Sequence, residues 1–186
     1  MASNNNEKEY LMLREEIMYY YNIIHSSRKI LYVALPAILT FAFSINEPLL
    51  FMLPYSVIIP IYIVTIDYQY GMWRMGTYLL VFLEGKDFNW EKRLHKLNTE
   101  STSQINRHAS SYNLPFVVTS LCCTILFFLK IDYKNIDYKT ISEIIFSIIL
   151  TIGFLLFIKF QKSPDKIKEA YIQEWKNVKK QKKKNT

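Results

Sequence analysis

The stretch PLLFMLPYSVIIPIYIVTI, residues 48–66, is nineteen residues long and contains no charged side chain. A helix of that length measures about 28 Å, close to the thickness of a bilayer's hydrocarbon core, roughly 30 Å. Apolar side chains would occupy every face of this helix, whereas a surface helix of a soluble protein carries polar residues on one side. The stretch therefore predicts a transmembrane helix.

Three further apolar stretches accompany it: residues 30–43, residues 114–129, which have Pro115 where a helix would start, and residues 141–160. We predict an all-α integral membrane protein with four transmembrane helices and cytoplasmic amphipathic helices. The predicted segments are an N-terminal helix (1–29), a first transmembrane hairpin (30–66), a helix and loop (67–113), a second transmembrane hairpin (114–160) and a basic helix and tail (161–186).

The positive charges indicate an orientation. Of the 23 Lys and Arg residues, twenty lie in the N-terminal segment, in the 67–113 connection or in the tail from Lys159 onward, and three lie in the other two connections. Segments rich in Lys and Arg stay in the cytoplasm. We therefore predict a multi-pass protein of the bacterial inner membrane with both termini in the cytoplasm.

Two prolines inside the second span predict kinks. Pro54 and Pro60 lack the amide hydrogen that a helix needs, so each would leave a carbonyl without a partner in hydrocarbon. The sequence thus favours a homo-oligomer in which span two faces other spans or a wet interior. Such an assembly could enclose a pore lined by the hydroxyl groups of the spans, among them Ser120, Thr124 and Thr151.

The only carboxylate at the end of span two is Asp67. It could simply face the headgroup region. Alternatively, an ion pair with Arg74 or Arg28 would join the cytoplasmic ends of the helices or gate a pathway.

The C-terminal segment carries both an apolar stripe and a lysine run. Ser163, Pro164 and Asp165 have the pattern of a helix start. Such a helix could lie on the anionic inner leaflet or pack on its own protein. Nucleic-acid binding is disfavoured because the tail lacks arginine. The stripe consists of Ile167, Tyr171, Trp175 and Val178, and the candidate contacts with a partner or the membrane surface are Tyr171, Trp175 and, in the 67–113 segment, Trp90.

Little in the chain predicts catalysis. His25, His95 and His108 are isolated from other metal-ligand types, and four glycines leave no phosphate-binding motif. The adjacent Cys122 and Cys123 lie in the middle of span three and suit close helix packing. We therefore predict no enzyme activity, no metal site and no cofactor.

The run EYLMLREEIMYYYNIIHSSRK, the following two spans, the exit IDYQYGMWRMGTYLLVFLEG and FNWEK form an ordered pattern over residues 9–92. This pattern resembles a family of small, largely uncharacterised bacterial membrane proteins. The resemblance implies a family membership but no activity. The residues that fall on the pattern are Arg14, Glu15, Glu16, Asp67, Tyr78, Glu84, Trp90 and Glu91.

In architecture the chain is also similar to small membrane proteins of prokaryotic antiviral systems, the SLATT-like effectors and the accessory proteins of RADAR and type VI-B CRISPR loci. That similarity implies a non-enzymatic membrane effector or accessory protein. It would oligomerise to form a pore or perturb the inner membrane when a cytosolic protein partner signals. Two alternatives remain: a membrane sensor or scaffold that recruits a soluble defence enzyme, and a small carrier subunit.

Overall fold

The computed structural model describes residues 2–83, 102–134, 136–161 and 164–184. Within these ranges the chain is helical and contains no strand, which confirms the predicted all-α class. Four of the described helical stretches are long and apolar enough to cross a membrane: Glu7–Ile45, Pro48–Leu83, Asn113–Lys130 and Tyr138–Lys159. The elements are α1 (Ala2–Ile45), a 3-10 helix (Pro48–Met52), α2 (Tyr55–Tyr78), a π-helical continuation of α2 (Leu79–Leu83), α3 (Thr102–Lys130), α4 (Tyr138–Lys159) and α5 (Pro164–Lys184).

Helix α1 is a single helix of 44 residues that includes both the predicted N-terminal helix and the first apolar stretch. Residues 7–29 contain no Gly or Pro, so nothing interrupts the helix before the apolar stretch. Its buried side chains are Ile24, Leu31, Leu35 and Ala42. Separations of seven, four and seven residues place these four on one face of the helix.

Two of the expectations about prolines are wrong. Pro54 lies in a turn before α2 begins at Tyr55, so it starts this helix rather than kinking it. Its fixed φ suits a helix start, and its carbonyl accepts the amides of Val57 and Ile58. Pro115 lies inside α3, which already begins at Thr102. Pro60 does lie inside α2, as predicted.

The chain forms two compact units. The described residues of the first, called here the polar unit, are 2–25, 65–83, 102–109 and 164–184. Those of the second, called here the apolar unit, are 26–64, 110–134 and 136–161.

The interior of the apolar unit is filled by aromatic rings and hydroxyl groups. The Tyr62 ring is edge-on to Phe116, Phe154 and Phe157, with centroids 5.1, 5.5 and 5.8 Å away. The Tyr55 hydroxyl lies 2.9 Å from Thr124 Oγ1 and 3.0 Å from Thr151 Oγ1. Hydroxyls that bond to each other in this way join three spanning helices without exposing a polar group to lipid.

Three of the hydroxyl groups that were expected to line a pore between copies, those of Ser120, Thr124 and Thr151, lie in this interior. Thr124 and Thr151 are buried within one copy, and their Oγ1 atoms are 2.9 Å apart. Thr124 also donates to the carbonyl of Ser120, whose side chain is fully buried. These groups find their partners inside the protomer because a hydroxyl facing hydrocarbon alone would be costly.

Two connections in the apolar unit are held together by lysines. Asn46 follows the end of α1 with a φ of 58°, a left-handed conformation that Asn tolerates. Its side-chain oxygen accepts a hydrogen bond of 2.8 Å from Lys130 Nζ. Lys139 Nζ lies 3.1 Å from Glu47 and 3.6 Å from Glu143. Lys130 and Lys139 thus both bind the connection between the first two spans. They are two of the three lysines that lie outside the Lys- and Arg-rich segments.

Candidate functional site

The polar unit contains an open groove with a volume of about 670 Å³. That volume is within the usual range for ligand pockets, roughly 300–1,000 Å³. The groove residues of α1 extend from Lys8 to Tyr20, about 18 Å along the helix axis at 1.5 Å per residue. The lining residues are Lys8, Glu9, Met12, Leu13, Glu16, Tyr20, Gly71, Arg74, Met75, Tyr78 and Trp175.

Helix α1 presents an alternating face to this groove. Glu9, Met12 and Glu16 are separated by three and four residues, so they lie on one side of the helix. The Met12 side chain is 70% exposed. A flexible thioether in such a position adapts its shape to a partner surface.

Both carboxylates of the groove accept hydrogen bonds from tyrosines. The Tyr78 hydroxyl donates to Glu9 Oε1 at 2.7 Å, and the Tyr20 hydroxyl donates to Glu16 Oε1 at 3.2 Å. Both hydrogen bonds lie within the polar unit, and they give each carboxylate of the groove a partner.

The close approach of α1 to α2 in the polar unit depends on a glycine. A Cβ atom built on Gly71 would lie 2.5 Å from Cε2 of Tyr20, well inside van der Waals contact. The Tyr20 ring also meets the Tyr68 ring edge-on at 5.1 Å. Gly71 thus makes room for the tyrosine that forms one end of the groove.

Trp175 of α5 docks on α2, as one of the two alternatives for the C-terminal helix requires. Its Nε1 donates to the carbonyl of Arg74 at 3.2 Å, and its ring lies edge-on to Tyr78 at 5.1 Å. The Arg74 guanidinium lies 5.8 Å from the centroid of the same indole. Aromatic and cation–π contacts of this kind add to the apolar burial of the docked side chain.

The predicted apolar stripe of α5 is partly wrong. Ile167 is buried and Tyr171 is half-buried, as expected, but Val178 is 46% exposed. Ile172, which the prediction omitted, is buried instead. Side chains at positions 167, 171, 172 and 175 form a wider face than the narrow stripe, because helix packing uses neighbouring positions as well as every fourth one.

The predicted charge cluster does not form as one group among the described residues. Asp67 and Arg74 are both exposed on α2 and make no ion pair with each other. They are seven residues apart, about 10.5 Å along the helix, and the Arg74 guanidinium lies against the Trp175 ring instead. Arg28 is half-buried in α1, and its pairing with Asp67 stays a prediction.

Trp90, the third predicted contact residue, lies outside the described residues, as do Glu84 and Glu91. Sequence reasoning missed Lys179, whose Nζ donates to the carbonyl of Val81 and lies 5.4 Å from the Phe82 ring. No sequence signal distinguishes this lysine from its neighbours in the lysine run, since only the docking of α5 selects it.

A second, more apolar cavity of about 430 Å³ lies in the apolar unit. Pro60, a predicted kink residue, lines this cavity. Ser56, which precedes Pro60 by one helical turn, lines it as well. Pro60 has no amide hydrogen to offer the carbonyl of Ser56. The lining residues are Leu49, Met52, Leu53, Tyr55, Ser56, Ile59, Pro60, Phe146 and Leu150.

The groove is the strongest candidate site in the described part of the chain, because it combines apolar side chains, both signs of charge and three aromatic rings. Among the same residues, no three His, Cys, Asp or Glu side chains cluster in a way that could hold a metal ion. No protein-family model, curated protein or solved structure matches the chain.

Proposed function

We propose that this protein is a non-enzymatic membrane effector or accessory protein of a prokaryotic antiviral system. In this proposal a cytosolic protein partner binds the groove of the polar unit, and copies of the apolar unit then associate to form a pore or to perturb the inner membrane. The antiviral setting rests on the architectural similarity of the sequence alone. The charge distribution supports an orientation with both termini in the cytoplasm.

The observation that carries the proposal is the groove itself. Its mixed lining, with Met12 and Met75 between charged side chains, suits a protein surface such as an amphipathic helix. An exposed apolar groove in water is a frequent mark of an interaction site. The interior around Tyr62 and Tyr55 is filled, so a pore in this proposal would have to form between copies of the apolar unit.

The experiment follows membrane potential with a voltage-sensitive dye in cells that express the protein with its genomic neighbours. Met12→Asp places a charge in the groove and should abolish the response without preventing membrane insertion. Met18→Asp is the matched control, since Met18 is 52% exposed on α1 but does not line the groove. Equal effects of the two substitutions would contradict the role of the groove.

The alternative is a scaffold that holds a soluble defence enzyme at the membrane. The filled interior of the apolar unit and its network of hydroxyl groups favour this alternative as well, because a packed unit with hydrogen bonds between its helices would serve as a rigid anchor. Cell fractionation separates the two functions. A partner that moves to the membrane through the groove, with no change in membrane potential, would identify a scaffold and exclude the effector.

A further inference from the structure

The end of α5 is strongly basic. No acidic residue follows Glu174, whereas six lysines do: Lys176, Lys179, Lys180, Lys182, Lys183 and Lys184. Lys176, Lys179 and Lys180 are all exposed. Lys176 and Lys180 are one helical turn apart, so they lie on the same side of α5. Residues 176–184 are called here the lysine end.

The contacts of α5 with α2 show where the lysine end lies. Lys168 Nζ is 5.7 Å from the centroid of the Trp73 ring, and Lys179 Nζ is 5.4 Å from that of the Phe82 ring. Residue numbers thus increase together along the two helices, which means that α5 and α2 run in the same direction. The lysine end therefore lies beside the C-terminal end of α2.

This position separates the lysine end from the end of the apolar stretch. The stretch ends at Ile66, and Tyr78, which precedes Phe82, is already twelve residues further, about 18 Å along α2. Membrane-spanning helices are tilted by only about 20° on average, so most of this length leads away from a leaflet. Headgroups extend about 5–7 Å beyond the hydrocarbon, and their field fades over about 8 Å at physiological salt. A soluble anionic partner is therefore favoured over the leaflet.

The lysine end adjoins the groove through Trp175. The Trp175 ring lines the groove. Lys176 follows Trp175 directly, and Lys179 follows it by one helical turn. A protein that is seated in the groove against Trp175 therefore comes within about 6 Å, along the axis of α5, of the positions of both lysines.

Inside the groove, the two signs of charge differ in their partners. The carboxylates of Glu9 and Glu16 accept hydrogen bonds from tyrosine hydroxyls. The cations Lys8 and Arg74 form no ion pair with another described residue. An acidic partner thus meets cations that lack a carboxylate, whereas a basic partner is repelled by these cations and by the lysine end.

We propose that the occupant of the groove is an acidic amphipathic helix of a cytosolic protein. Its apolar side packs on Met12 and Met75, and its carboxylates meet Arg74 and the lysine end. This assignment rests on the proposed function, in which the groove binds a protein, and adds the charge of that protein. A single-stranded nucleic acid fits less well, because the Trp175 ring is packed against Tyr78 and is not free to stack on bases.

Selection from a displayed library of amphipathic helices tests the charge preference. The target is the full-length protein in nanodiscs of zwitterionic phosphatidylcholine. Each library helix carries leucine at positions i, i+3, i+4 and i+7, and Glu, Lys or Gln at random elsewhere. Helices that also bind the Met12→Asp protein are removed, so that the survivors require the groove. We expect the survivors to be rich in Glu and to have a net negative charge.

Charge reversal then tests the lysine end. Lys176→Glu combined with Lys180→Glu should weaken the binding of the surviving helices by about tenfold, because repulsion replaces attraction. Arg14→Glu combined with Lys166→Glu is the matched control, since it changes the charge equally at two exposed positions of the polar unit that do not line the groove. It should change the affinity by less than about twofold. Fluorescence anisotropy measures both affinities.

Circular dichroism checks that the variants remain helical. If charge reversal lowers the helix content, Lys176→Gln combined with Lys180→Gln takes its place and should weaken binding by about threefold.

The outcomes separate this proposal from the proposed function. Survivors that are neutral or basic, or that bind the proteins altered at the lysine end as tightly as the original, would overturn the acidic partner and leave the groove as a protein-binding site. Displacement of the survivors by a DNA duplex but not by polyglutamate would assign the lysine end to nucleic acid and would also overturn it. If no helix survives the removal step, the groove is not a site for a helix, and both proposals are wrong.

Discussion

The polar unit and the apolar unit differ in whether charged side chains accompany the apolar ones on their surfaces. In the apolar unit, Ser120 and Ser147 are fully buried, while Phe146 and Ile149 are 53% and 65% exposed. In the polar unit, Ile167 and Leu79 are buried and the charged residues Glu16 and Arg74 are exposed. The surface of the apolar unit is therefore suited to lipid, and the charged residues on the surface of the polar unit are suited to water.

The difference shows which forces hold each unit together. In the polar unit, docking of Trp175 buries apolar surface, which is favourable wherever that surface would otherwise meet water. Lipid provides no such force between spanning helices, so the apolar unit depends on close packing and on hydrogen bonds between helices. The ring cluster at Tyr62 and the hydroxyls around Tyr55 supply these two contributions.

The largest expected effect tests the packing of the apolar unit. Phe116→Ala removes a fully buried ring that contacts Tyr62, and it should lower the free energy of unfolding by about 3–5 kcal/mol. Phe146→Ala is the control, because that ring is 53% exposed on the same unit, and it should change stability by about 0.5 kcal/mol or less. Unfolding titrations in mixed detergent micelles measure both, and equal losses would show that the ring cluster is not a specific core.

Replacing a glycine by alanine should change stability in opposite directions in the two units. Gly71→Ala forces the Tyr20 ring to move, and overpacking of this kind should destabilise the polar unit by about 1–3 kcal/mol. Gly153→Ala in the apolar unit meets nothing within 4 Å, so it should stabilise its helix by up to about 1 kcal/mol.

Double-mutant analysis checks the cause of the first effect. Combining Gly71→Ala with Tyr20→Leu removes the ring that the new methyl group would meet, so the two losses should fall short of additivity. Strictly additive losses would mean that Gly71 is required for another reason.

The smallest expected effect concerns acid stability at the start of α4. Asp137 accepts hydrogen bonds from the amide and the hydroxyl of Thr140, and these bonds hold the pKa of this carboxyl below its ordinary value. A depressed pKa in the folded state stabilises the fold above the ordinary pKa of Asp, near 4, and this contribution is lost as the pH falls through the lowered pKa. Asp137→Asn should therefore flatten the dependence of stability on pH below about 4. Circular dichroism melts across that range measure the slope, and a slope identical to that of the original protein would rule out the contribution of this cap.

Much of the fold follows from residues 48–66 and the three other apolar stretches, because the hydrocarbon thickness fixes how long a spanning helix must be. The start of α5 at Pro164 also follows from local sequence, since proline and an acidic residue suit the first helical turn. The sequence predicted the residues of the candidate site less accurately than it predicted the fold. The sequence singled out Trp175 as an anchor, but it chose Val178 where the structure buries Ile172.

The sequence by itself determined the helical class, the four apolar helices and the polarity of the connections, since each depends on composition over about twenty residues or on a local start signal. The tertiary structure alone decided where the hydroxyls of Thr124 and Thr151 point, that Gly71 admits Tyr20, and that Trp175 and Lys179 hold the end of α2. Each of these depends on which helices become neighbours. Contacts between residues far apart in the chain follow from the packing of whole helices, which no local pattern of residues specifies.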